Sequence, residues 1–198
     1  MAPRSTSDLP STSEVVAHFE RTLRVDGPPP PGDVLRLLTA LHRNNLDQWR
    51  KEDLTRAPAA DDTTVAAAKR DIDALNATRH ELVEAIDAAL AGGLEQDRSA
   101  TPATESPAMV FDRLSVLTIR IHFTEGAARE SSADGERYRA RLPLLRDQLD
   151  VVVQALDGLF DDIRAGRKRY VPYQSLKLYG SGDADGSVHR RRAEPPSA

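Results

Sequence analysis

The run LHRNNLDQWRKEDLTR, residues 41–56, decides how this chain folds. Its residues repeat in character at steps of three and four, the period of an α-helix rather than the alternation of a strand. Leu35 and Leu38 lie upstream on the same line, so that face is predicted to be the buried one. The line is not purely apolar, however: His42, Asn45, Trp49, Glu52 and Arg56 continue it. A polar group turned into a helical bundle is costly unless it meets a partner. A second polar set is therefore expected across the interior, and the seam between them is either a binding site or a structural network.

Working outward, the 198 residues suit one domain with a real core, at 39% hydrophobic and 29% charged content. Aromatics make up only 5%, so the core must be mostly Leu, Val, Ile and Ala. A net charge of −4 and a pI near 5.8 argue against general nucleic-acid binding, which needs a basic face. The absence of cysteine excludes disulfides, thiolate zinc sites and iron–sulfur clusters. No apolar run approaches the roughly 18 residues of a membrane helix. The opening MAPRSTSDLPSTS lacks the apolar stretch of a signal peptide. The expectation is a cytoplasmic protein with neither membrane nor nucleic acid as partner.

Along the chain, residues 1–12 are rich in Ser, Thr and Pro and are expected to be disordered. Ser13 is predicted to cap a short helix carrying Val15, Val16, Phe19 and Leu23. Gly27 and the prolines Pro28 to Pro31 end it. The second helix runs from near Asp33 to about Arg56, with Pro58 stopping it. Asp61 or Asp62 caps the third, whose stripe is Val65, Ala68, Ile72, Leu75, Leu82 and Ile86, closed by Gly92 and Gly93. Ser106 and Pro107 read as N-cap and first turn of the fourth, which buries Val110, Leu114, Leu117 and Ile121. The fifth starts at Asp134, keeps its rhythm from Tyr138 to Ile163 and ends at Gly166; Pro143 is predicted to kink it or mark its start. RKRYVPYQSLKLYG, residues 167–180, is basic, aromatic and broken by Pro172, and is expected to lie across the bundle as a strap. No strand alternation and no repeat is visible. The expected architecture is all-α: an antiparallel bundle of four to five helices with an irregular C-terminal strap, one domain over residues 13–179, then a disordered tail, 180–198.

Three polar sets carry whatever chemistry there is. The first is His42, Asn45, Trp49, Glu52, Asp53 and Arg56. The second, on the third helix, is Asp73, Asn76, His80, Glu84 and Asp87, with Arg79 interrupting the apolar stripe. The third is Asp112, Arg113, Ser115 and Arg120, with Glu105 just ahead. Read functionally, they line a pocket of a few hundred Å³, the usual ligand range. Arg56, Arg79, Arg113 and Arg120 would hold a small anionic molecule through guanidinium forks. Asn45, Trp49, Asn76, Ser115 and Tyr173 would complete the pocket, and His42, Glu52, Asp53 and Asp112 would move protons.

Read structurally, the same groups form an internal network that fixes helix register, with Arg79 paired to Glu52 or Asp112 and part of the second set in water. The protein is then an accessory or scaffold, with a homodimer as one form of it. A third reading takes Glu84-x-x-Asp87 facing Glu52–Asp53 as a magnesium site, as in helical nucleotide pyrophosphatases, although Trp49 stands where one of the four carboxylates belongs. The sequence names no cofactor and assigns no metal ligands. P-loop, GxGxxG, HExxH and GxSxG motifs are absent. The strap itself reads as a nucleic-acid contact, as a lid with Tyr170, Tyr173 or Tyr179 reaching a ligand, or as packing. His18, His122 and His189 look incidental.

Four segments carry a family resemblance: LHRNNLDQWRKEDLTR, DIDALNATRHELVEAID, ESPAMVFDRLSVLTIRI and RYVPYQSLKLY. They resemble a bacterial family catalogued as domain of unknown function 4254, over about residues 37–179. The specific elements are Asn45 and Trp49 with Glu52–Asp53, Leu75–Asn76 with Arg79, Ile86–Asp87, and Asp112-Arg113-Leu114-Ser115. Near Ser106 the chain departs from the Thr-Pro-Gly stretch usual there. The resemblance implies a helical fold and a setting near glycosyltransferase or specialised-metabolism genes, and it assigns no reaction.

Overall fold

The computed structural model describes residues 10–25, 27–28, 31–57 and 60–175; the expectations for the first nine residues and for the tail lie outside these. Five helices follow in order: α1 (Thr12–Arg24), α2 (Asp33–Thr55), α3 (Asp62–Ala91), α4 (Pro107–Ala127) and α5 (Ala133–Arg164). The all-α expectation holds. None of the helices among the described residues is long and apolar enough to cross a membrane.

Most helix starts are set by local side-chain chemistry. Asp61 and Ser106 accept the Thr64 and Met109 amides and so satisfy donors that have no partner inside a helix. For α1 the cap is Ser11, not Ser13: Ser11 and Glu14 form a reciprocal capping box, which leaves Ser13 as the exposed second residue of the helix. For α5 the cap is Ser132, two residues ahead of the expected Asp134. Gly32 begins α2 at φ 113°, a conformation that favours glycine. Pro143 neither starts nor ends α5, which runs through it. It sits on the exposed side, where the carbonyl it leaves unpaired can turn to water.

Successive long helices run antiparallel. Asn44 donates to the Leu75 carbonyl (3.1 Å) and Lys51 pairs with Asp71 (2.6 Å), so α2 and α3 form a hairpin. Arg79 meets Asp112 and Asp87 meets Ala108, which does the same for α3 and α4. Phe111 packs on Phe160 (6.2 Å) and Arg146 pairs with Glu125 (2.9 Å) along α4 and α5. The first helix packs beside them, with Val15 and Phe19 in a core that includes Leu38, Leu41, Ile86, Leu114, Leu156 and Ile163.

A two-stranded parallel sheet, unforeseen from sequence, joins β1 (Thr101–Pro102) to β2 (Lys168–Arg169). Two residues per strand are too few to show an alternation. This pairing anchors the start of the strap, and the loop after α3 and α3 itself hold the described residues that follow. Gln96 accepts the Tyr170 amide (2.7 Å), Asp87 the Tyr173 amide (2.8 Å), and Glu84 the Ser175 amide. Tyr170 is buried beneath it.

Candidate functional site

His42 and Asn45 lie one turn apart on α2, both buried, because Leu38 and Leu41 turn that side of the helix into the core. Facing them on α4 is Ser115, fully buried and one turn from Asp112. His42 Nδ1 lies 2.9 Å from Ser115 Oγ. Asn45 Nδ2 donates to Ser115 Oγ (3.1 Å) and to Asp112 Oδ1 (2.8 Å). Arg79 on α3 then closes on Asp112: its Nε lies 2.9 Å from each carboxylate oxygen, and its Nη2 also donates to Oδ2. One chain of contacts, His42–Ser115–Asn45–Asp112–Arg79, thus crosses three helices. It is graded, with the Arg79 side chain 32% exposed, Asp112 13%, and Ser115 and His42 none.

The inner end is electrically quiet. Burial pushes the His42 pKa down to about 4, with the nearby His18 as the second cause. The ring stacks flat on Phe19, centroids 4.4 Å apart. Ser115 Oγ already accepts from Asn45, so its own proton is best given to His42 Nδ1. That leaves the imidazole proton on Nε2, a buried atom near the Phe19 backbone that meets no well-aligned partner among the described residues. A serine beside a histidine suggests nucleophilic catalysis, but neither atom is reachable by a substrate.

At the outer end the predicted line leaves the interior. Trp49 is half-buried and stacks on Phe123 at 5.5 Å, its indole nitrogen buried without a partner among the described residues. Glu52 pairs with Arg56 at 3.2 Å on the surface, and Asp53 is exposed. Asn76 is half-buried on α3.

Several sequence expectations change here. Arg113 and Arg120 do share a face, but it is the one turned to water, away from Ser115 and Thr118; Arg113 instead pairs with Glu105 at 2.5 Å. The second polar set does not face the first as a block. Only Arg79 joins the seam. His80, Glu84 and Asp87 hold the strap, with Tyr173 Oη 2.7 Å from His80 Nδ1, and Asp73 is exposed. Tyr173 therefore touches α3 at His80, not the seam, and Tyr179 lies outside the described residues. The magnesium reading loses its inner pair, because Glu84 and Asp87 accept strap amides, and among the described residues no three His, Asp or Glu side chains converge as a metal requires. The seam side chains from His42 to Arg79 bond to one another across their helices. A cavity of about 610 Å³ opens elsewhere, between the C-terminal ends of α1 and α4, beside Arg24, His122, Phe123, Glu125, Arg129 and Glu130.

Sequence reasoning underrated Asp87. It is fully buried and accepts both the Ala108 amide, in the first turn of α4, and the Tyr173 amide. A clue was available: Val83, Ile86 and Leu90 surround it on the helix surface, so the true stripe of α3 passes through it.

Fold and site together define an all-α bundle whose three central helices share a buried polar seam and whose C-terminal strap is fastened to the third helix. The chain belongs to the family described as Protein of unknown function (DUF4254), whose profile matches residues 35–171, from α2 into the strap. No curated protein and no solved structure matches it.

Proposed function

We propose that this is a non-catalytic accessory protein that works through its outer surfaces, with the polar seam setting the register of α2, α3 and α4. One observation carries the reading: three of the four arginines expected to anchor an anion are occupied by the chain's own carboxylates, and the fourth, Arg120, points to water away from the seam. Asp112 takes Arg79 through both oxygens, Glu105 takes Arg113 and Glu52 takes Arg56. A ligand would have to displace a charge-assisted bidentate pair to reach the guanidinium of Arg79. A part-buried pair of this kind adds little stability over apolar side chains, yet losing one partner is costly. It therefore penalises wrong registers more than it strengthens the right one.

Thermal melting tests this. Asp112→Ala should lose about 3 kcal/mol, by stranding Arg79 and Asn45. In a chain this size that is a fall of roughly 6–12 °C. Arg79→Met with Asp112→Leu should recover most of it. An Asp112→Ala protein that melts within about 2 °C of the parent overturns the reading, since a ligand-binding carboxylate is not needed for the fold.

One observation favours a second reading, a binder of, or enzyme for, a small anionic molecule at the outer end of the seam: the unpartnered Trp49 indole nitrogen beside Phe123. On that reading, native mass spectrometry of the purified protein shows a bound small molecule that Trp49→Phe loses. Under either reading we place the protein in the bacterial cytoplasm, beside glycan-related or specialised biosynthesis; the family resemblance supports that setting.

A further inference from the structure

We infer that the cavity between the C-terminal ends of α1 and α4 is a binding site for a small organic oxyanion, a phosphate ester or a carboxylate, held by Arg24 and Arg129. The inference goes beyond the seam reading and does not depend on it.

The cavity comes from a difference in where two helices stop. The first helix ends at Arg24, beside His122 of α4, and Val25 is already extended. The fourth runs on to Ala127 before the chain turns into α5 at Ala133. The space past the shorter helix measures about 610 Å³ among the described residues, inside the usual range of ligand sites. Phe123 gives it an apolar wall, stacked on Trp49 and met edge-on by His122 at 5.4 Å. Gly126 is part of the lining, with nothing within 4 Å of where a Cβ would stand.

Charge names the ligand. In the seam, Arg79 is held by a carboxylate of the chain itself. Around the cavity the arginines divide. Arg146 takes Glu125 at 2.9 Å, and Arg139 donates to the Ala128 and Glu130 carbonyls at the end of α4. The negative end of that helix is thereby answered from within the chain. Arg24 and Arg129 are different: both line the cavity, both are exposed, and neither side chain makes a hydrogen bond or ion pair with a described residue. Arg24 also stands at the negative end of α1, which offsets only about half a charge. Glu20, one turn back on α1, lines the neighbouring groove and not the cavity. Glu130 is the unpaired carboxylate of the lining; it weakens the attraction for an anion without cancelling two guanidinium groups. Two free forks beside an aromatic wall suit an oxyanion joined to a planar apolar body. Phosphate and carboxylate both match a fork, so the oxyanion is the shared chemistry.

The test is a nuclear magnetic resonance titration of the full chain with three probes, phenyl phosphate, phenylacetate and benzyl alcohol. The two anions should shift the amide signals of Arg24 and of residues 122–130, with dissociation constants of about 1 mM, as for fragments of this size. The tighter of the two tells a phosphate ester from a carboxylate. Benzyl alcohol keeps the ring and lacks the charge, and should leave those signals in place up to about 20 mM. Arg24→Gln and Arg129→Gln should each weaken anion binding about tenfold, whereas Glu130→Gln should tighten it. Gly126→Leu keeps every charge but fills the space, and should weaken binding about tenfold or more. All four positions are exposed, so the circular dichroism of each variant should match the parent. Trp49→Phe should keep the site, which separates it from a ligand held by the indole nitrogen. Silent signals with both anions, benzyl alcohol binding as tightly as they do, or anion binding that neither arginine variant weakens overturns the inference. None of these touches the seam reading, which stands or falls on the melting of Asp112→Ala.

Discussion

His42 is a base held neutral. Its pKa falls from 6.5 to about 4 because burial beside Phe19 penalises the charged ring and His18 adds to that penalty. Between those two values the unfolded chain binds a proton that the folded chain refuses, so stability rises with pH there. The contribution is complete above about pH 6.5 and is lost as the pH falls toward 4, amounting to roughly 3 kcal/mol. Urea midpoints measured from pH 4 to 7 should show this slope, and His42→Gln should flatten it; an unchanged slope in His42→Gln would assign the effect to other groups. His42, Asn45 and Arg79 were legible as seam members, since each interrupts an apolar stripe and a stripe is local information; Asp112 lies across α4 from the stripe expected through Val110, Leu114, Leu117 and Ile121, so only packing could place it. Arg113 and Arg120 were misplaced because a spacing of seven says only that two residues share a face; the buried side of α4 runs through Phe111, Leu114, Ser115 and Thr118, while Val110, read as core, is only half-buried.

Among the elements, α4 and the strap share one carboxylate. Asp87 accepts an amide from each, and a hydrogen bond to a charged acceptor contributes about 1.5–3 kcal/mol. Asp87→Ala should therefore both weaken the fold and free the strap, seen as faster hydrogen exchange at Tyr173 and faster tryptic cleavage after Lys168 and Arg169. Unchanged exchange at Tyr173 would mean that β2 alone fastens the segment. The α4–α5 turn offers a second check. Glycine is a poor helix former, so replacing one with alanine usually gains up to ~1 kcal/mol. At Gly135 the sign reverses, because a Cβ there runs into the Glu130 backbone carbonyl. Gly135→Ala should lower the melting temperature by several degrees, whereas Gly126→Ala, in open space, should raise it slightly. Caps and stripes made the helices readable in advance. The two-residue strands were not, because their pairing joins residues 101–102 to 168–169 and has no local signature.

For the whole molecule, the core draws on all five helices and the seam ties three of them, so unfolding should be one cooperative transition. Trp49 is the only tryptophan and sits near the C-terminal end of α2, stacked on Phe123, so its fluorescence reports the edge of the structure while far-ultraviolet dichroism reports the helices. The two melting curves should coincide. An earlier fluorescence transition would show that the outer end of the seam opens on its own. The sequence by itself determined the helices, most of their inward faces and the polar residues on those faces, because helix period and capping act over a few neighbouring residues. Only the tertiary structure decided which polar group meets which. Arg79 took Asp112 and not Glu52, and Asp87 turned to the strap and not to the seam. Those choices depend on how far apart the packed helices lie and at what angle they cross, quantities set by the whole core at once and written in no single stretch of chain.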